Sequence, residues 1–283
     1  MRKLTSLLTA VSLLGLLPLA HSQIVYVGSS SSSVSVQKID LDGNKSLFGS
    51  GLGPTLTLTL DQQENLYVGD GGIIYKYTPQ GQRTTFTSSG TSGVRGLAFG
   101  PDGNLYAGNN GGGYIGYYNP SGSFLGVYAG ASGVTSLAFS PGGDLFYVSG
   151  NSVYRTGQGT AFAGGFSSPQ DLTFDLSGNL YVTSSGNNSI YKVTPDGQTS
   201  IFANITTVPD LGAPSGIQYL DGLLYVANSG KGNVLEIDVT DLSYRKLADG
   251  ITGANGLAVP EPSSLALLLI GAGALLVRGR RRN

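Results

Sequence analysis

Residues 95–110 read RGLAFGPDGNLYAGNN, two short apolar runs separated by Pro101-Asp102-Gly103-Asn104. Residues of that kind make tight turns, because Pro presets φ, Gly accepts positive φ, and Asp and Asn bond their own backbone. A run, a turn and a second run make a β-hairpin. The phrase recurs as TLTLTLDQQENLYVGD at 55–70, TSLAFSPGGDLFYVSG at 135–150, QDLTFDLSGNLYVTSS at 170–185 and SGIQYLDGLLYVANSG at 215–230. Such recurrence makes the hairpin part of a repeat, and repeats decide architecture before single elements do.

The aromatic of the second run is a landmark. Tyr26, Tyr67, Tyr106, Phe146, Tyr181 and Tyr225 follow one another at intervals of 41, 39, 40, 35 and 44 residues, the length of a propeller blade. Two more short strands fit after each hairpin, as in IIYKYTPQGQRTTFT at 73–87 and SIYKVTPDGQTSIFA at 189–203, with Thr-Pro-Gln-Gly or Thr-Pro-Asp-Gly as the turn. Four strands per repeat make one blade. The ends complete the set: IVYVG at 24–28 is a second strand without a first, and Ala254 to Val259 is a first strand without a second. Their pairing closes a composite blade. The sequence therefore predicts an all-β, six-bladed β-propeller over residues 23–259, closed by its terminal strands, with no open edge strand between the termini.

Composition agrees. The 283 residues include 45 Gly, 16 Tyr and 12 Pro, and only 12% are charged, which suits a turn-rich β protein. At the N-terminus, Arg2 and Lys3 precede an apolar run from Leu4 to Ala20 and the small-residue site Ala20-His21-Ser22. This predicts a secretory signal peptide over 1–22. Its removal takes away the only histidine, His21, and the only methionine, Met1; Cys and Trp are absent throughout. The exported chain thus has no disulfide framework, thiol nucleophile or thiolate metal site.

The C-terminal segment, 260–283, has a second targeting pattern: Pro260-Glu261-Pro262, an apolar stretch expected to be helical over 263–277, then Arg278, Arg280, Arg281 and Arg282. The basic cluster predicts a cytoplasmic C-terminal end for a membrane-inserted stretch. This tail closely resembles the PEP-CTERM sorting signal of bacteria that make extracellular polysaccharide, with Pro260, Glu261 and Pro262 matching its tripeptide. The resemblance implies an exosortase, an integral membrane protease, as partner. It also implies passage through the inner membrane to the cell surface or extracellular matrix. Without the six basic residues of the two ends and Glu261, ten basic residues face sixteen acidic ones. A mildly acidic surface without basic clusters argues against nucleic acid as a partner.

The repeats themselves, with Leu-Ala-Phe, Asp-Gly-Asn-Leu-Tyr and Thr-Pro-Asp-Gly, resemble the NHL-repeat and gluconolactonase-like six-bladed propellers, including the streptogramin lyases. The resemblance covers residues 24–259 and implies architecture more than activity. Streptogramin lyases depend on a histidine, which the exported chain lacks. Gluconolactonase-like enzymes hold a central divalent cation with Glu, Asn and Asp; before the tail this chain has only Glu64, in a first-hairpin turn, and Glu236, in a blade strand. No cofactor and no metal site is expected, and the chain is read as a non-enzymatic binding or structural module. The alternative is a metal-dependent hydrolase, lactonase or lyase of the gluconolactonase-like class.

Candidate ligand residues follow from the starts of the inner strands: Leu56, Arg95, Thr135, Gln170, Ser215 and Asn255, with Asp171 beside Gln170. Loops after the second strands add Asn109, Asn187 and Asn228, amides suited to sugar hydroxyls, with Tyr114 for stacking. Extracellular polysaccharide or a surface protein is the expected partner. Asp40-Leu41-Asp42-Gly43-Asn44 has the look of a calcium loop, but it lacks the distal Glu and stands where other repeats carry Thr-Pro-Asp-Gly, so it reads as an outer turn.

Overall fold

A computed structural model describes residues 24–29, 35–53 and 57–260. The expected signal peptide, Glu261, Pro262 and the apolar stretch 263–277 lie outside the described residues.

The described chain is a six-bladed β-propeller of four-stranded antiparallel blades. Blade 1 holds β1 (Val25–Ser29), β2 (Ser35–Ile39) and β3 (Lys45–Ser50). Blade 2 holds β4 (Thr57–Leu60), β5 (Leu66–Asp70), β6 (Ile73–Tyr77) and β7 (Arg83–Thr87). Blade 3 follows with β8 (Val94–Phe99), β9 (Leu105–Asn109), β10 (Tyr114–Tyr118) and β11 (Phe124–Gly130). Blade 4 has β12 (Val134–Phe139), β13 (Leu145–Ser149), β14 (Ser152–Arg155) and β15 (Ala161–Gly164). Blade 5 has β16 (Pro169–Phe174), β17 (Leu180–Ser184), β18 (Ser189–Val193) and β19 (Thr199–Asn204). Blade 6 has β20 (Pro214–Leu220), β21 (Leu223–Asn228), β22 (Asn233–Asp238) and β23 (Tyr244–Asp249). The last strand, β24 (Ala254–Ala258), completes blade 1 from the other end of the chain.

Closure is as the sequence predicts: β24 pairs antiparallel with β1, Tyr26 opposite Ala258 and Val27 opposite Leu257. The Ser29 hydroxyl donates to the Thr252 carbonyl at 2.7 Å and pins the same seam. The inner strands β24, β4, β8, β12, β16 and β20 contact one another in an unbroken ring. Small residues let them crowd at the axis: a Cβ on Gly216 would collide with the Asn255 carbonyl oxygen, and one on Gly96 would stand 2.9 Å from the Leu137 amide nitrogen.

The core lies between blades, in six apolar clusters. The landmark aromatics organise it. Tyr67 meets Phe99 of the next blade at 5.0 Å between ring centroids, Tyr106 meets Phe139 at 4.9 Å, and Phe146 meets Phe174 at 5.1 Å. Edge-to-face pairs of this kind add about 0.5–1.5 kcal/mol each beyond the area they bury. Three of these hubs are also anchored at their polar ends. The Tyr67, Tyr106 and Tyr181 hydroxyls lie 3.3, 3.0 and 3.4 Å from carboxylate oxygens of Asp61, Asp102 and Asp175 in the first-hairpin turns.

One device is absent from the strand pattern read in the sequence. In every blade the fourth strand bulges against the third, and the residue skipped by the register is Phe48, Phe86, Tyr128, Phe162, Phe202 or Leu247. A bulge re-aims a side chain. Here it turns five aromatic rings onto landmarks, as with Phe48 on Tyr26 at 4.8 Å and Phe202 on Tyr181 at 5.1 Å. The sixth, Leu247, enters the cluster around Tyr225.

Candidate functional site

The inner strands all run from one face of the disc toward the other, so their first residues ring one end of the axis. A channel of about 960 Å³ follows that axis. Arg95, Thr135, Gln170, Ser215 and Asn255 line it at the mouth, and Asp61, Glu64, Pro101, Gly142 and Pro260 line it at the far end. Leu56 lies outside the described residues.

Mouth residues differ in what they offer a ligand. Arg95 is exposed and forms no ion pair among the described residues. Gln170 and Asn255 are half-buried. Gln170 Nε2 donates to the Ser168 carbonyl at 3.1 Å and to the Ser185 hydroxyl at 3.2 Å. Ser215 is buried and spent: its hydroxyl donates to the Ala254 carbonyl at 2.7 Å and so ties blade 6 to blade 1. The Thr135 hydroxyl is shielded from water and has no hydrogen-bond partner. A shielded hydroxyl without a partner costs about 1–3 kcal/mol.

Asp171 has both carboxylate oxygens engaged by the protein itself. Its Oδ1 accepts from the Ser136 hydroxyl and from the Leu172 amide at 2.9 Å, and its Oδ2 accepts from the Ile217 amide at 2.9 Å. It clamps blades 4, 5 and 6 at the position where other inner strands carry Gly96, Gly216 or Gly256. Desolvation outweighs these hydrogen bonds and pushes its carboxyl up to about 6.

The loop amides are placed differently from what their composition suggests. Asn109 and Asn228 are wholly buried. Asn109 Oδ1 accepts from the Ser92 amide at 2.9 Å, while Asn228 Oδ1 accepts from the Gly212 amide at 2.9 Å and its Nδ2 donates to the Asp210 carbonyl at 2.7 Å. They brace the loops that lead into the next inner strand, as the Ser184 hydroxyl does by accepting from the Ser167 amide at 2.9 Å. Buried amides must be paired, and these are paired within the protein. Asn187 is exposed and donates to the Tyr191 hydroxyl at 2.8 Å; the Tyr114 hydroxyl donates to the Gly90 carbonyl at 3.1 Å. Asn109 and Asn228 end their second strands three residues after the landmark aromatic, as Ser184 does, whereas Asn187 lies beyond its strand, and that spacing is the signal that separates bracing amides from exposed ones.

Neither Asp171 nor Glu236 is free to hold a divalent cation. Asp171 has both oxygens engaged by donors, and Glu236 is held by Arg245 through two contacts of 2.9 Å. Among the described residues, no three His, Cys, Asp or Glu side chains group to hold a metal. Asp40 Oδ1 accepts from the Asp42 and Asn44 amides at 3.0 and 2.8 Å, so that segment is an outer turn.

At the end opposite the mouth, β24 runs out through Val259 to Pro260. Residues 258–282 match the protein-sorting motif called PEP-CTERM. The chain carries a PEP-CTERM sorting signal. That signal directs export through a membrane exosortase system to the cell surface or extracellular space. No curated protein matches the chain. Among solved structures, the chain is similar to one in a nidogen/laminin complex, with TM-score 0.71, 15% identity, and coverage of 85% of this chain and 99% of that one. It is also similar to a streptogramin B lyase, with TM-score 0.59, 16% identity, and coverage of 84% and 87%. A catalytically inactive histidine-to-alanine variant of virginiamycin B lyase from Staphylococcus aureus follows, with TM-score 0.54, 17% identity, and coverage of 71% and 73%. At these identities the likeness is one of fold. Pro260, where the PEP-CTERM tripeptide begins, therefore stands on the face of the six-bladed propeller opposite its polar mouth.

Proposed function

We propose that this PEP-CTERM protein is a surface-displayed binding module whose ligand enters at the axial mouth. Exposed Arg95 carries the reading: it forms no ion pair among the described residues and shares the channel opening with half-buried Gln170 and Asn255. The mouth offers one cation and two amides, which suits a small polar group such as a hydroxyl-rich or acidic terminus. Because the sorting tail departs from the opposite end, a tail-held propeller presents this mouth away from the membrane. The binding reading is favoured over a lyase because the inactive lyase variant lacks a histidine, and the one histidine of this chain falls in the expected signal peptide.

A glycan array probed with the full-length chain in detergent tests the proposal. Arg95→Ala removes the cation and Asn255→Ala removes an amide; each is expected to weaken capture about tenfold, the equivalent of one hydrogen bond to a polar ligand. Capture unchanged in both variants would sink the mouth as the site.

A further inference from the structure

Between Asp102 and Asp144 the sequence contains no Asp, Glu, Lys or Arg. This stretch builds most of blade 3 and the inner strand of blade 4, and its rim is open. At four other junctions a glycine of the outer turn in one blade lies over the bulge of the blade before it: Gly43 toward the Leu247 carbonyl, Gly81 toward Phe48, Gly122 toward Phe86 and Gly197 toward Phe162. Val239 and Leu242 pack in the cluster that includes Phe202 at the junction of blades 5 and 6. Blade 4 lacks such a cover, since nothing lies within 4 Å of where a Cβ on Gly157 would stand. Tyr128, the bulged residue left uncovered, is 45% exposed, and Leu125 and Val127 on the same strand are 45% and 57% exposed.

The opening is lined by tyrosine on both walls. On blade 3, Tyr117 and Tyr128 lie 6.2 Å apart and both rest on Tyr106. On blade 4, Tyr147 packs against the same cluster and stacks on Tyr154 at 5.4 Å. Exposed apolar patches on a folded domain mark interaction sites. We infer that the junction between blades 3 and 4 is a binding surface for a neutral, extended polysaccharide chain. Tyrosine rings stack on the apolar faces of pyranose rings while their hydroxyls bond sugar hydroxyls. The charge beside this cluster is the Asp102 carboxylate, which accepts from the Tyr106 hydroxyl at 3.0 Å; it repels uronate and phosphate groups, so the surface favours an uncharged polymer.

Isothermal titration of the full-length chain in detergent with cellohexaose, maltohexaose and laminarihexaose, and with polygalacturonate as a charged counter-probe, tests this. Tyrosine emission is a second readout, undisturbed because the chain has no Trp. At least one neutral hexasaccharide is expected to bind with Kd of about 1 mM or tighter, little changed by salt. Tyr128→Ala is expected to weaken it about tenfold, whereas Tyr128→Phe, which keeps the ring, stays within about threefold. Ile201→Ser, at an exposed apolar position on blade 5, binds as the parent does. Three results overturn the inference: no neutral hexasaccharide binds, Tyr128→Ala binds undiminished, or polygalacturonate binds more tightly than all three. Sedimentation adds a fourth: a dimer that Tyr128→Ala dissolves would make this surface a contact between two copies.

Discussion

The junction of blades 6 and 1 and the junction of blades 3 and 4 solve the same packing problem with opposite chemistry. At the first, Gly43 lies over the Leu247 carbonyl, Lys45 reaches the Asp249 carbonyl, and Arg245 donates to the Leu41 carbonyl at 3.0 Å while pairing with Glu236. At the second, Gly157 covers nothing and Tyr128 stands in solvent. The first joint must hold the chain ends together, and polar ties across the outer strands add to the β1–β24 seam. The second joins blades consecutive in sequence, so covalent connection already limits their separation. Freed from a closing role, its rim can carry exposed aromatic surface.

Matched glycine substitutions give the largest expected contrast. Gly43 and Gly157 both have positive φ, +82° and +78°. Alanine at either position costs about 1–2 kcal/mol of backbone strain. At Gly43 the new methyl also strikes the Leu247 carbonyl, adding overpacking of about 1–3 kcal/mol. Urea unfolding is expected to show Gly43→Ala as the more damaging by about 2 kcal/mol. Equal losses would mean that the outer turn does not tie blade 1 to blade 6.

Removing bulged rings sharpens the same point. Phe86→Ala takes away a half-buried ring set edge-on to Tyr67 at 5.0 Å and is expected to cost about 3 kcal/mol. Tyr128→Ala, at a rim position, is expected to cost about 1 kcal/mol by thermal melting. The reverse order would show that the exposed tyrosine is structural and the open rim an illusion.

Titration separates the halves of the ring. The Asp171 carboxyl is raised by burial from its ordinary 3.8 to about 6 in the fold, so folding favours the protonated form. The stabilisation is complete below about pH 3.8 and is lost as pH rises through about 6, by roughly 2–3 kcal/mol over the window. Amide exchange should quicken over this range in blades 4, 5 and 6, which the carboxylate clamps, more than in blades 2 and 3. Asp171→Asn should flatten the dependence, and a slope that survives the substitution would assign it elsewhere.

The smallest effect is expected at the ion pair. Arg245 is half exposed while Glu236 is only 14% exposed beside Tyr225. Arg245→Ala therefore loses a screened contact and leaves a shielded carboxylate, for about 1 kcal/mol by denaturant titration. A neutral result would leave the closing seam to its strand pairing alone.

Much of this was legible in advance because a repeat is written locally. Turn glycines, Asp-Gly-Asn and the landmark aromatics mark each hairpin wherever the blade sits, and a first strand orphaned at 254 with a second orphaned at 24 can be satisfied only by each other. The site was less legible. Register fixes which residue begins a strand, so the sequence places Arg95, Thr135, Gln170 and Asn255 at the channel mouth, whereas Asn109 and Asn228, read as amides for sugar hydroxyls, are buried and brace loops from within. Asp171 was expected beside a ligand and instead clamps blades.

Sequence alone determined the blade count, the closure and the sorting tail, since all three depend on short contiguous patterns whose physical meaning does not change with surroundings. Tertiary structure alone decided which polar groups remain unpaired, which fourth-strand rings turn inward at a bulge, and which junction stays open. Those outcomes depend on how one blade meets the next, and hydrogen bonds and burial across that gap join residues far apart in the chain.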